Sequence, residues 1–376
     1  MPKNYKVEYS TTANTGTWVE LDDVQDISFS IGRQFMLDQY SASTGSLTIR
    51  YPTGYATPNT AMVPDTYVRI WGPNTTDGNY AMYHGIIKDV SVTYGIPYVG
   101  GVGQADYLNV TLEGGFAQAS RMSGQNYAMA AGDFYTQCNT ASTQTGLSIG
   151  ISATTPQMAA STVSGTWGDW INASLVTING RMSDCTGYAS INLSGPFNAR
   201  TCTVNFSDVA NNATNQVYDQ ADFGALSDNF YTQITVDPAD YAGQTVTNVG
   251  ATVPYRTYTV NTLSASAGQA LDQANFLLSQ YGTQKFALTS VSCLAEAQSS
   301  FQMDYMGLTT FGFLVGARVS VTFRGTVYQS IIEGVRVTAT PESSRYTFYL
   351  SGQDLNNYLI LNDTVFGRLD YNKLGY

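Results

Sequence analysis

The residue types that do most enzymatic work are scarce in this sequence and widely scattered. His84 is the only histidine, so a Ser-His-Asp or Cys-His relay can form in one place at most. It follows Tyr83 in a strand-like segment, where an ordinary packed or surface histidine is the simpler reading. Cys138, Cys185, Cys202 and Cys293 lie far apart. With no Cys-x-x-Cys and no His-Glu-x-x-His run, nothing has the ligand spacing of a zinc site. A glycosidase needs only two carboxylates, and 28 acidic residues permit such a pair without marking one. Trp167 and Trp170 could form a sugar-stacking platform, but their helical spacing favours a core role. The glycines of Val99-Gly100-Gly101-Val102-Gly103-Gln104 read as a hairpin tip, because no helix follows to make a phosphate cradle. The strongest local bias is acidic. Between Arg200 and Arg256 there is no Lys or Arg, while Asp208, Asp219, Asp222, Asp228, Asp237 and Asp240 fall in that stretch. They lack the alternating Asp/Asn spacing and closing Glu of a calcium loop, so no metal or cofactor is indicated.

The elements that must carry these residues are mostly strands. Only 12% of the 376 residues are charged, about half of the roughly 25% usual for soluble domains. Gly (35), Tyr (27) and dense Ser, Thr and Asn take their place, a mixture that disfavours long helices and suits strands and turns. The apolar share of 43% is enough for a sizeable core. A net charge of −11 lacks the positive surplus of sequence-independent DNA binding. No apolar run is long enough to span a bilayer as a helix. The N-terminal Met1-Pro2-Lys3-Asn4-Tyr5-Lys6 has no apolar stretch of the signal-peptide kind. The expectation is synthesis in the cytoplasm, with reduced and largely core-packed thiols.

Residues 5–118 alternate with period two, as in Ile27/Phe29/Ile31, Leu47/Ile49 and Leu108/Val110/Leu112. That predicts about eight short strands in a sandwich or barrel. Helices are predicted over 126–138 and 167–185, the second stopped at Gly187. From Arg200 strands return over 201–206, 230–236 and 255–260. A third helix is announced by Ser266 and Gln269, a capping-box pair, and Gly282 offers a left-handed stop. Residues 286–294 and the alternating Val319/Val321/Phe323, Val335/Val337/Ala339 and Tyr346/Phe348/Leu350 complete a second meander. The domain reading is a first barrel at 1–123 and a helical insertion at 124–195. A second, discontinuous barrel follows at 196–260 and 308–352, with a helix-strand insertion at 261–307. The tail, 353–376, packs on the body or a neighbour.

Several segments resemble the tail hub proteins of tailed bacteriophages. They are Trp18-Val19-Glu20-Leu21, Asp26-Ile27-Ser28-Phe29 and Gly45-Ser46-Leu47-Thr48-Ile49 in the first part. In the second come Tyr218-Asp219, Asp228-Asn229-Phe230-Tyr231-Thr232-Gln233-Ile234, and Tyr255-Arg256-Thr257-Tyr258 ahead of the Gln269-Ala270 helix. The ending Phe366-Gly367-Arg368-Leu369-Asp370-Tyr371-Asn372-Lys373-Leu374-Gly375-Tyr376 is similar too. The resemblance implies a mainly β (α+β) chain with two tail-tube-like antiparallel β-barrels and small helical insertion domains. It implies a non-enzymatic structural hub, a homotrimer whose six barrels meet a hexameric tail tube at the tail tip or baseplate of a virion. Implied partners are the tube or distal tail protein, the tape measure protein, and tail spikes, fibres or other baseplate proteins. DNA would pass through without specific binding, and no membrane insertion is implied. The chain ends soon after the second barrel, so any wall-degrading activity is expected in another protein. The six aspartates are the candidate acids of the channel wall. Two alternatives stay open: a distal tail or receptor-binding protein with a carbohydrate-binding barrel, and a β-rich glycosidase.

Overall fold

The computed structural model describes residues 5–12, 17–51, 62–72, 81–95, 105–152, 156–185, 187, 190–194, 205–209, 215–224, 230–283, 287–294 and 315–352. Its first part is β1 (Lys6–Ser10), β2 (Val19–Glu20), β3 (Val24–Gly32), β4 (Thr44–Tyr51), β5 (Tyr67–Trp71), β6 (Tyr83–Thr93) and β7 (Asp106–Glu113), hydrogen-bonded in the order β3-β4-β7-β6-β5-β1-β2. Every neighbouring pair is antiparallel. The period-two pattern explains the faces: Ile27, Phe29, Ile31, Leu47, Ile49, Leu108, Val110 and Leu112 point into one core. Each such side chain contributes roughly 1.5–3 kcal/mol by leaving water. Strand β6 runs unbroken from Tyr83 to Thr93 and is bulged between Ile87 and Asp89.

The middle of the chain is an α/β insertion rather than a purely helical one. It runs through α1 (Phe116–Arg121), β8 (Tyr127–Met129), β9 (Gly132–Asp133), α2 (Phe134–Thr145), β10 (Ser148–Ser152), β11 (Gln157–Met158), β12 (Ser161–Val163), α3 (Trp167–Thr177), β13 (Arg181–Ser183) and β14 (Ser190–Ser194). It starts earlier than expected, since α1 packs into its core with Phe134, Trp167 and Trp170. The helix expected over 126–138 begins only at Phe134, where the Asp133 carboxylate accepts the Thr136 backbone N–H at 2.8 Å. The helix expected over 167–185 ends at Thr177, and the chain turns through Asn179 at φ +51° into β13. Met182 therefore packs from a strand, and Gly187 plays no part in stopping a helix.

The rest of the chain is β15 (Asn205–Ser207), β16 (Asn215–Val217), β17 (Gln220–Gly224), β18 (Gln233–Pro238), β19 (Gln244–Thr247), β20 (Thr257–Thr262), α4 (Ala267–Tyr281), β21 (Ala287–Leu294), β22 (Arg318–Phe323), β23 (Thr326–Ala339) and β24 (Ser344–Gly352). Strands β18–β20 do not join the large sheet. They form their own three-stranded sheet under α4, around Ile234, Val236, Ala270, Ala274 and Leu277. Residues 233–260 thus leave the second wall, and β21, expected in the insertion, enters it. Helix α4 begins as the capping pair predicts, with Ser266 Oγ accepting the Gln269 N–H and Gln269 Oε1 accepting the Ala265 N–H. Gly282 closes it at φ −74°, not in the left-handed region.

Among the described residues the large sheet has fourteen strands, and its second half repeats the first. Strands β15, β16, β17, β21, β22, β23 and β24 lie in the order β17-β21-β24-β23-β22-β15-β16. Taken in chain order they replace β1 to β7 one for one. The long hairpin β23–β24 matches β6–β7, and each carries a bulge, between Ile332 and Gly334 in β23. The match fails in direction at the far end, where β15 runs parallel to β16 and β22, and in bulge position, since β17–β21 is bulged after Asp222 and β3–β4 after Val24. The halves are joined edge to edge by antiparallel pairing of β23 with β3. One core, from Val7 and Phe29 to Phe206 and Phe348, lies beneath both. The two barrel walls expected from the sequence are therefore halves of one continuous sheet. Among the described residues, no strand pairing closes either half upon itself.

Candidate assembly surfaces

No described group of three or more His, Cys, Asp or Glu side chains is arranged to hold a metal. No described helix is long and apolar enough to cross a membrane. Burial, with Arg69 nearby, pushes the His84 imidazole down to about 4, so it is neutral near pH 7 and poorly suited to take a proton. Cys138, Cys185 and Cys293 are buried free thiols, and burial pushes the Cys185 thiol up to about 12. Cys202 lies outside the described residues. Trp167 and Trp170 are core residues packed edge to face, with ring centroids 6.0 Å apart. They are closed to a sugar.

The most elaborate polar cluster sits where the halves meet. Between Ile332 and Gly334 the bulge turns Glu333 inward, where it is fully buried. Its Oε1 accepts from Arg181 Nη2 at 2.6 Å and Ser351 Oγ at 2.6 Å, and its Oε2 from Arg33 Nε at 2.9 Å. Arg33 follows β3, Arg181 opens β13 of the α/β insertion, and Ser351 is on β24, so one carboxylate ties together three parts of the chain. Burial alone would raise the Glu333 carboxyl. The charges and hydrogen bonds of the two guanidiniums outweigh that and hold it at about 2. Arg33 also stacks over the Tyr40 ring, 4.6 Å from its centroid. The backbones approach closely here: a Cβ on Gly334 would lie 2.5 Å from the Arg33 carbonyl oxygen. Sequence reasoning passed over Glu333, although an acid inside Ile331-Ile332-Glu333-Gly334 is a detectable anomaly.

On β21, β24, β23, β3, β4 and β7 the face of the sheet opposite the core is polar and carries few charges, whereas on β1, β2 and β5 it carries the Lys6, Glu8, Glu20 and Arg69 ion pairs. Because registers match from strand to strand, its side chains form rows across both halves. One row runs Arg345, Thr338, Ser28, Ser46, Thr111, Asp89. The next runs Ser292, Thr347, Arg336, Ser30, Thr44. Of the six sequence-selected acids, Asp222 stands on this face and accepts from Ser290 Oγ at 2.7 Å. Asp219 reaches Arg345 at 2.9 Å. Asp208 follows β15 and accepts the Arg324 backbone N–H. Asp237 and Asp240 are exposed on the separate β18 sheet, and Asp228 lies outside the described residues. The acids are thus divided between two sheets rather than gathered in one site.

Proteins of known structure share this fold. The chain has the fold of prophage tail proteins. It superposes on the tail protein of Neisseria meningitidis MC58 with a TM-score of 0.63 and 11% identity, over 93% of this chain and 97% of that one. The 43 kDa tail protein of prophage MuSo2 from Shewanella oneidensis gives 0.62 and 9%, over 92% and 97%. The Escherichia coli c3393 protein, a type VI secretion component described as structurally similar to the T4 tail proteins gp27 and gp5, gives 0.50 and 10%, over 88% and 74%. No family model and no curated protein sequence matches the chain. The likeness is therefore one of fold rather than of sequence.

Proposed function

We propose that this protein is the structural hub of a phage tail tip or baseplate, without enzymatic activity. In this role it is a homotrimer that adapts a hexameric tail tube to the tip and lines the path of the genome. The observation that carries the reading is the repeated half-sheet: one chain offers two equivalent walls, so three chains offer six. The fold likeness to phage tail proteins and a type VI secretion component supports the setting. The polar face spanning β24, β23, β3, β4 and β7 is the natural channel wall, since hydroxyl rows offer DNA neither charge attraction nor an apolar surface. Asp219 and Asp222 add acid to that wall, whereas Asp208, Asp237 and Asp240 lie off these rows. The partners in this reading are the tube or distal tail protein above, the tape measure protein within, and spikes, fibres or other baseplate proteins around it. The particle is a virion whose tail proteins are made in the host cytoplasm. Light scattering of the full chain, alone and with its tube protein, tests the reading. A trimer is the expected result. A hexamer would point to a distal tail ring, and a persistent monomer in both mixtures would refute the hub.

A further inference from the structure

The pairing that joins the two halves inside one chain also specifies how one chain meets the next. Inside the chain, β3 of the first half lies antiparallel to the post-bulge segment of β23, with Ser28 opposite Thr338. In the repeat, β23 corresponds to β6 and β3 corresponds to β17. The equivalence follows from the hydrogen-bonded registers as far as Asp222, after which β17–β21 is bulged and β3–β4 at the matching point is not. Thr111 opposite Asp89 matches Tyr349 opposite Gly334, Ser46 opposite Thr111 matches Ser290 opposite Tyr349, and Ser28 opposite Ser46 matches Asp222 opposite Ser290.

Two strand edges then remain to make the same contact. Among the described strands, β6 beyond its bulge pairs with β7 alone, because β5 covers only Tyr83 to Ile86. Strand β17 pairs with β21 alone among the described strands. We propose that the post-bulge edge of β6 in one copy pairs antiparallel with β17 of a second copy of this chain, Thr93 opposite Asp222. Bare strand edges are templates for pairing, and the interface is of two different surfaces. Repeated head to tail it closes into a ring when the rotation permits, with in-chain and between-chain junctions alternating around it. The same register sets Tyr94, which follows β6 and is 66% exposed, opposite Ala221. An aromatic side chain left in water by the single chain would thereby be covered. Lys88, in the bulge position that Glu333 holds in β23, is exposed, a charge of the kind that keeps an open edge from indiscriminate pairing.

The inference rests on the trimeric hub reading, and the test separates the two. The full chain is made with Asp222→Cys and Thr93→Cys together, with each alone, and with Asp222→Cys plus Asp89→Cys as an off-register control. Directly opposed residues of an antiparallel pair fall within disulfide reach, and residues four apart along a strand do not. Ala221→Cys with Tyr94→Cys is the second in-register pair, for use if loss of the Asp222 hydrogen bonds impairs folding. On mild oxidation the in-register pair should lose its monomer band to a reductant-sensitive covalent trimer, while the single and off-register variants stay monomeric on a non-reducing gel. A trimer by light scattering whose folded in-register pairs do not crosslink would overturn the β6–β17 junction and leave the hub standing. Equal crosslinking of the off-register pair would overturn it as well. A chain that neither trimerises nor crosslinks, alone and with its tube protein, would overturn both.

Discussion

Glu333 concentrates the electrostatics of the molecule in one carboxylate between two guanidiniums. Neutralising it alone strands Arg181, itself fully buried, without its counter-charge, so Glu333→Gln should cost about 3–5 kcal/mol. Replacing Arg33, Arg181 and Glu333 together by apolar residues of similar volume should recover most of that loss, because the desolvation of all three charges disappears. Denaturant unfolding of the two variants checks this, and a triple variant no more stable than the single one would show that the ions themselves hold the fold. The sign of the pH dependence follows from two depressed values. Between 6.5 and about 4 the unfolded chain binds a proton at His84 that the folded chain refuses. Between 4.5 and about 2 the same holds at Glu333. Both contributions are complete above pH 6.5 and are lost as pH falls, His84 first, with a slope of about 1.4 kcal/mol per pH unit for each proton. A His84→Asn variant should flatten the upper window and leave the lower one, as measured by urea midpoints across pH.

At the scale of elements, the junction between halves depends on two glycines facing each other across β3 and β23. Gly32 has φ +78°, and a Cβ there would strike the Glu333 carbonyl oxygen. Gly32→Ala should therefore cost about 3 kcal/mol from backbone strain and overpacking. The loss would be read as an earlier urea midpoint, and an unchanged midpoint would mean the two strands can part freely. Nothing in the sequence announces this pair, since glycine is abundant throughout. The strands themselves were legible, because alternation such as Ile27/Phe29/Ile31 requires one buried face. Their partners were not. Ile234 and Val236 alternate as Val319 and Val321 do, yet they pack under α4 instead of joining the large sheet. Period two reports a two-faced strand and is silent on which sheet receives it. Helix starts followed side-chain caps, visible at Ser266 and missed at Asp133. The repeat was legible as two meanders, but its hydrogen-bonded order needed the registers.

On the scale of the whole molecule, the polar face decides how a polyanion would fare beside it. Its rows are mostly Ser, Thr and Asn, and Arg336, Arg345 and Arg50 are countered by Asp26, Asp89, Asp219 and Asp222. Arg345 is already paired with Asp219. Arg33 cannot contribute, because its side chain is buried against Glu333. Such a wall is close to neutral, less acidic than the run of aspartates from 208 to 240 suggested. Neutrality suffices for sliding, since retention of DNA grows with each phosphate that a Lys or Arg neutralises and falls steeply with salt. The native protein should therefore retain no duplex DNA at physiological ionic strength in a fluorescence anisotropy titration. Ser30→Lys, Ser46→Lys and Thr111→Lys together place three cations per chain on adjacent strands of this face, at exposed or half-exposed positions. That variant should gain DNA binding with a salt slope that approaches about −0.9 per phosphate contacted. Tight binding by the native protein would remove the face as a passive channel wall. No gain in the triple variant would mean that DNA does not reach these rows.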